Sequence, residues 1–156
     1  MLKYGYIGVY MITGSFQGWV ASADGEAGLR RMRRAVGIHA VLALGLGAGF
    51  ALIVPWATPM ALGPGFELSA PTALFGGIAL AAMTLATALG MCVVLPSGRD
   101  GAYLASVCVG AALIVPAVLI GAGAAGVTGA AAGVAVVQLA ALAALSVAAV
   151  PVLRGR

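Results

Sequence analysis

The sequence predicts an all-α integral membrane protein built as a compact bundle of five transmembrane helices. Three observations predict it. Hydrophobic residues make up 63% of the chain and charged residues 8%, with a mean hydropathy of +1.14, far outside the range of water-soluble domains. Uncharged apolar runs recur, each long enough to cross about 30 Å of hydrocarbon. The basic residues fall between those runs as punctuation. The 156 residues hold four to five crossings with short connections and no folded water-soluble domain besides, so residues 1–156 form a single transmembrane domain.

The first run, 4–20, is the least hydrophobic, because Gln17 and scattered glycines interrupt it. With Lys3 before it and Ala21-Ser22-Ala23 after it, it imitates a secretory signal peptide. Cleavage after Ala23 would leave four arginines to be translocated, against the rule that basic loops stay inside, so a retained segment is expected. The alternative to five crossings is four plus an N-terminal interfacial or re-entrant segment. Tyr6, Tyr10, Thr13 and Gln17, spaced four, three and four, share one helical face. Such a stripe either bonds a neighbouring helix or lines a polar pathway.

The second run, 36–56, follows Arg30, Arg31, Arg33 and Arg34. Runs 72–95, 102–121 and 127–153 complete the set. The breaks carry turn chemistry: PMALGPGFELSAP (Pro59–Pro71), PSGRDG (Pro96–Gly101) and GAGAAGVTG (Gly121–Gly129). The last has no charge, and its assignment rests on the excess length of the apolar stretch around it.

Five crossings place the four clustered arginines, Arg99, Arg154 and Arg156 on one side, with Lys3 and Glu67 on the other. Cytoplasmic loops retain Arg and Lys, so the expected threading is N-terminus outside and C-terminus cytoplasmic, in a plasma (inner) membrane. The Ala/Gly/Arg-rich, lysine-poor composition resembles that of a GC-rich bacterium. Arg30, Arg31, Arg33 and Arg34 are read as a topology anchor that also lies along anionic lipid headgroups. No groove-reading helix or stacking platform accompanies them, which excludes nucleic acid as the expected partner.

Glycine supplies 24 residues, with Gly14/Gly18, Gly45/Gly49 and Gly129/Gly133 at GxxxG spacing inside the runs. Such faces let helix backbones approach closely, within one chain or between chains. GFALIVP (Gly49–Pro55) and GAALIVP (Gly110–Pro116) repeat a core at an offset of 61, as a tandem duplication of a two-helix hairpin would. Pro116, inside its run, is expected to kink the helix, whereas Pro55 falls at a run's end.

No Asp, Glu, Lys or Arg lies within any run, which disfavours ion-coupled transport. No phosphate-cradling loop, metal motif or Ser/His/Asp set occurs, so no catalytic residue is assigned and the cofactor is unknown. His39, Cys92 and Cys108, with Met91 nearby, fall at similar depths and form the one conceivable soft-metal cluster; a hydrogen-bonded histidine and two small buried thiols are the expected reading. Asp24, Glu26, Arg99, Asp100, Tyr103 and Ser106 form a polar rim near the basic side, read first as solvated loop residues and otherwise as a site for a quinone or lipid phosphate. Thr84 and Thr87 are expected to bond back to their own helix. Gln138, at mid-bilayer, needs a partner: a second helix or a ligand. The leading functional expectation is an accessory or scaffold subunit of a larger membrane complex, assembling with other subunits or with itself. A facilitator for a neutral solute is second, and an anchor for an oxidoreductase or lipid-handling enzyme third.

Overall fold

A computed structural model describes residues 2–155, with side chains from residue 8 onward. Lys3, Tyr4 and Tyr6 fall outside the described side chains, as does Arg156. The described chain is all helical: α1 (Leu2–Ala21), α2 (Gly25–Leu62), α3 (Ala70–Leu89) and α4 (Asp100–Leu153). α3 runs on through a π turn at Gly90–Val94 and a 3-10 turn at Leu95–Ser97. Among the described residues three helices are long and apolar enough to cross a membrane: α2, α3 with its extension, and α4. α1 is not one of them, so five crossings are not established by length and hydropathy.

Local sequence accounts for the ends. α2 starts after Asp24 and closes at Gly63, whose φ of 93° suits a residue without Cβ, and whose N–H donates to the Pro59 carbonyl. The helix therefore extends past the expected end near Trp56. Pro55 and Pro59 lie inside it, and the Thr58 hydroxyl donates to the Val54 carbonyl at 2.6 Å. α3 is capped by Ser69, whose Oγ accepts from the Thr72 N–H, with proline in the first turn. Gly98 at φ 70° ends its extension, and Asp100 places a carboxylate in the first turn of α4.

A straight helix of 54 residues would be about 80 Å long, well over twice the hydrocarbon thickness. α4 instead breaks at Ala125 (φ −145°, ψ 28°) and Gly126 (φ 57°, ψ −136°). A Cβ on Gly121 would overlap the Gly129 carbonyl, and one on Gly133 would overlap that of Ala117. Both pairs sum to 250, which is the signature of an antiparallel hairpin centred on residue 125. The reversal falls within the break expected at Gly121–Gly129. Pro116 lies in helical backbone; the non-helical dihedrals come nine residues later.

α3 sits at the centre. α2 crosses it where Gly47 and Gly77 meet backbone to backbone, and the Phe50 ring lies on Gly76. The α4 hairpin packs on its other side, with Leu89, Val93 and Val94 against Leu145 and Ala149. Of the most apolar eighteen-residue stretch of each helix, 61% is buried in α3 but only 17% in α2 and 6% in α4. Van der Waals contact between close backbones holds such a bundle in lipid, where no hydrophobic force draws helices together.

Two polar ties close the ends. At one, Arg31 donates to the Trp19 carbonyl and the Ser22 hydroxyl, each at 2.7 Å, while its guanidinium lies 5.2 Å from the Trp19 ring centre. Arg33 donates through Nε and Nη2 to the Leu153 carbonyl at 3.0 and 2.6 Å, and Arg99 donates to that of Ala148 at 2.9 Å. These guanidiniums satisfy carbonyls near helix C-termini, where positive charge is favoured. At the other end Ser69, Thr72 and Thr128 share a hydroxyl cluster, with Thr72 and Thr128 at 2.7 Å. The described arginines thus gather at one end of the bundle.

Candidate functional site

Two polar clusters inside the bundle are of opposite construction. The first joins α1 to α2. Thr13 and His39 are both buried, with Thr13 Oγ1 3.1 Å from His39 Nε2. His39 Nδ1 donates to the Ala35 carbonyl at 2.8 Å, and Nε2 stands against the Thr13 hydroxyl oxygen. The one proton of that hydroxyl is donated to the Val9 carbonyl at 2.8 Å. Phe16 closes the site edge-on, its ring centre 5.2 Å from that of His39. Both imidazole nitrogens are thereby occupied.

Cys92 is buried against Val20 and Ala35 near this cluster, whereas Cys108 is exposed on the first arm of α4. Among the described residues no three His, Cys, Asp or Glu side chains lie together as a metal would require. His39, Cys92 and Cys108, grouped by depth in the sequence, are separated by helix rotation.

The second cluster lines a cavity of about 380 Å³ between α1, α3 and both arms of α4. Its polar lining is Tyr10, Thr87, Tyr103, Ser106 and Gln138. Its apolar lining includes Met83, Val107, Ile114, Val137 and Leu145. Thr87 donates to the Met83 carbonyl at 2.8 Å, and Thr84 likewise to that of Leu80, the back-bonding expected of both. Ser106 is 7% exposed and Gln138 half-buried, and neither side chain makes a hydrogen bond to a described residue, while no fully buried polar side-chain atom among those residues is left without a partner. The Tyr103 ring lies against Gly90 in the π turn, where a Cβ would stand 2.6 Å from the ring edge. π turns displace one helical face and recur at functional sites.

The stripe on α1 is therefore divided: Thr13 faces α2, Tyr10 faces the cavity, and Gln17 is half-buried and absent from the cavity wall. The polar rim divides as well. Tyr103 and Ser106 belong to the cavity, while Asp24 and Glu26 line a separate groove of about 510 Å³ at the arginine end, between the start of α2 and Pro96, Ser97 and Val152. A third recess, of about 620 Å³, is walled by Trp19, Ala27, Arg30, Arg31, Arg33 and Arg34. In it Arg30 pairs with Glu26 at 3.5 Å, a highly exposed contact worth little in water.

Sequence reasoning placed Tyr103 and Ser106 on one polar rim and joined the α1 stripe with Gln138 as a polar pathway, but did not bring the two sets together. Only Gly90, small where a ring must seat, hints at the arrangement.

The fold and cavity define a class, a small all-helical protein of membrane type with a mixed polar and apolar site inside the bundle. Comparison with family models, curated proteins and solved structures finds no match to this chain.

Proposed function

We propose that this chain is a five-crossing accessory or scaffold subunit of a plasma-membrane complex, with its N-terminus outside and its arginine end cytoplasmic. One observation carries the reading. The glycine faces split into used and unused sets: Gly47, Gly77, Gly121, Gly129 and Gly133 meet backbone within the chain, whereas Gly14, Gly18, Gly45 and Gly49 would meet nothing with a Cβ added. Two GxxxG faces, on α1 and α2, are thus open for close approach by helices of another chain. The reversal at Ala125–Gly126 supports counting α4 as two crossings, and the alternation of ends then carries α1 across as the first. The gathering of arginines at one end supports the orientation, and the recess walled by Trp19 and four arginines suits an anionic lipid headgroup at that surface.

Purification from the native host in mild detergent should recover the chain bound to other subunits or to itself. Gly18→Leu and Gly45→Leu should remove that association while leaving the bundle folded. A monomeric wild type, with no partner by mass spectrometry, would overturn the reading. Orientation is tested separately: an impermeant thiol reagent should label Ser69→Cys from outside, and Ser97→Cys only after permeabilisation. The facilitator reading draws support from Gln138 in the cavity wall, but the other glutamine it invoked, Gln17, lies outside that wall.

A further inference from the structure

We propose that the cavity between α1, α3 and the α4 arms is a binding site for an uncharged, membrane-soluble amphiphile whose head carries carbonyl oxygens. Access comes from the bilayer. Ser106, Val137 and Leu145 form the back wall and are buried, whereas Tyr10 at 42% and Val107 at 49% exposure stand at the mouth. That mouth lies on the flank of the bundle, along a first arm that is largely exposed from end to end. The lining spans Tyr103 to Ile114, about 16 Å along the helix and about half the hydrocarbon thickness. A ligand arriving there comes from lipid.

Its charge follows from the wall, whose described residues include no Asp, Glu, Lys, Arg or His. An ion in this site would lose its hydration without a counter-charge, so the ligand is neutral. Its polar chemistry follows from a count of donors. The Gln138 amide offers two N–H donors and the Ser106 hydroxyl one, and neither is used by a described residue. The Thr87 hydroxyl spends its proton on the Met83 carbonyl and keeps only acceptor capacity. These three N–H and O–H donors in the wall can be met only by acceptors, which a head bearing carbonyl oxygens supplies. The cavity volume lies within the range of small-molecule sites, and Met83, Ile114 and Val137 supply the apolar remainder.

Two lipid-soluble classes carry this head: quinones, with ring carbonyls, and acylglycerols, with ester carbonyls. The proposal depends on the chain being embedded in a bilayer, but not on its assembling with partners or on which end is cytoplasmic. Loss of association or reversed thiol labelling would therefore leave it standing.

The test uses the full chain in phosphatidylcholine nanodiscs, titrated with decyl-benzoquinone and, separately, with dioctanoylglycerol. Bound ligand is counted by native mass spectrometry, and circular dichroism reports the fold. One saturable equivalent of either probe supports the site, and the probe that binds identifies the source. Ser106→Ala and Gln138→Leu should each weaken binding roughly tenfold, as loss of one hydrogen bond does. Gly110→Phe is the decisive variant. Gly110 lines the cavity and a Cβ there meets nothing within 4 Å, so the position admits a side chain beside the site, and with phenylalanine there binding should vanish with the fold intact. No saturable binding of either probe overturns the proposal, as does binding that survives Gly110→Phe.

Discussion

The Thr13–His39 cluster and the Ser106–Gln138 cavity are two polar islands in one apolar bundle, built to opposite rules. In the first, every side-chain hydrogen-bonding atom lies within bonding distance of a protein atom and a phenylalanine ring seals the contact. In the second, a nearly buried hydroxyl and a carboxamide face open volume. The difference separates structure from binding. A satisfied cluster pins helices and leaves nothing for a ligand to gain, whereas unsatisfied donors around a cavity retain binding energy that a ligand can collect. Polarity alone does not distinguish the two, since both rest on uncharged or weakly basic side chains within predicted spans.

Three substitutions would sharpen or break this contrast, each read by unfolding in mixed detergent micelles. The largest effect is expected for His39→Ala, which removes both ring hydrogen bonds and leaves a void beneath Phe16. A loss on the order of 3 kcal/mol is expected, comparable to other large-to-small core changes. Thr13→Val comes next. It takes away the Nε2 partner but preserves volume, so about 1 kcal/mol should be lost. Gln138→Leu should be smallest, below about 0.6 kcal/mol, because no bond to a described residue is lost and the leucine is at home in lipid. If Gln138→Leu proved as damaging as His39→Ala, the cavity amide would be a structural tie and the distinction would fail.

The used and unused glycine faces show the same division in the backbone. Gly47 and Gly77 bring α2 against α3 without side chains between them, while Gly45, two residues from Gly47, faces outward. The GxxxG spacing is the same in both states. What differs is helix rotation, which spacing does not record.

The sequence by itself determined the class, the apolar runs, their reversals and the gathering of basic residues between them. These are local or additive properties: hydropathy sums along the chain, and Gly63, Gly98 and Gly126 mark turns because each adopts a positive φ that a side chain would resist. Three reversals fell inside the expected breaks. α2 nevertheless ran farther than its prolines suggested, because Pro55 and Pro59 were accommodated within the helix. Only the tertiary structure decided which faces meet. The two arms of α4 carry few polar residues, so little in the sequence fixes the rotation of either arm about its axis, and depth along a helix gives no azimuth. Depth therefore grouped His39 with Cys92 and Cys108 in the sequence, whereas packing turned Cys108 outward and set His39 on Thr13. The π turn at Gly90–Val94, the seat of Tyr103 on Gly90, and the meeting of Tyr10, Ser106 and Gln138 around one cavity arise from contacts between helices far apart in sequence.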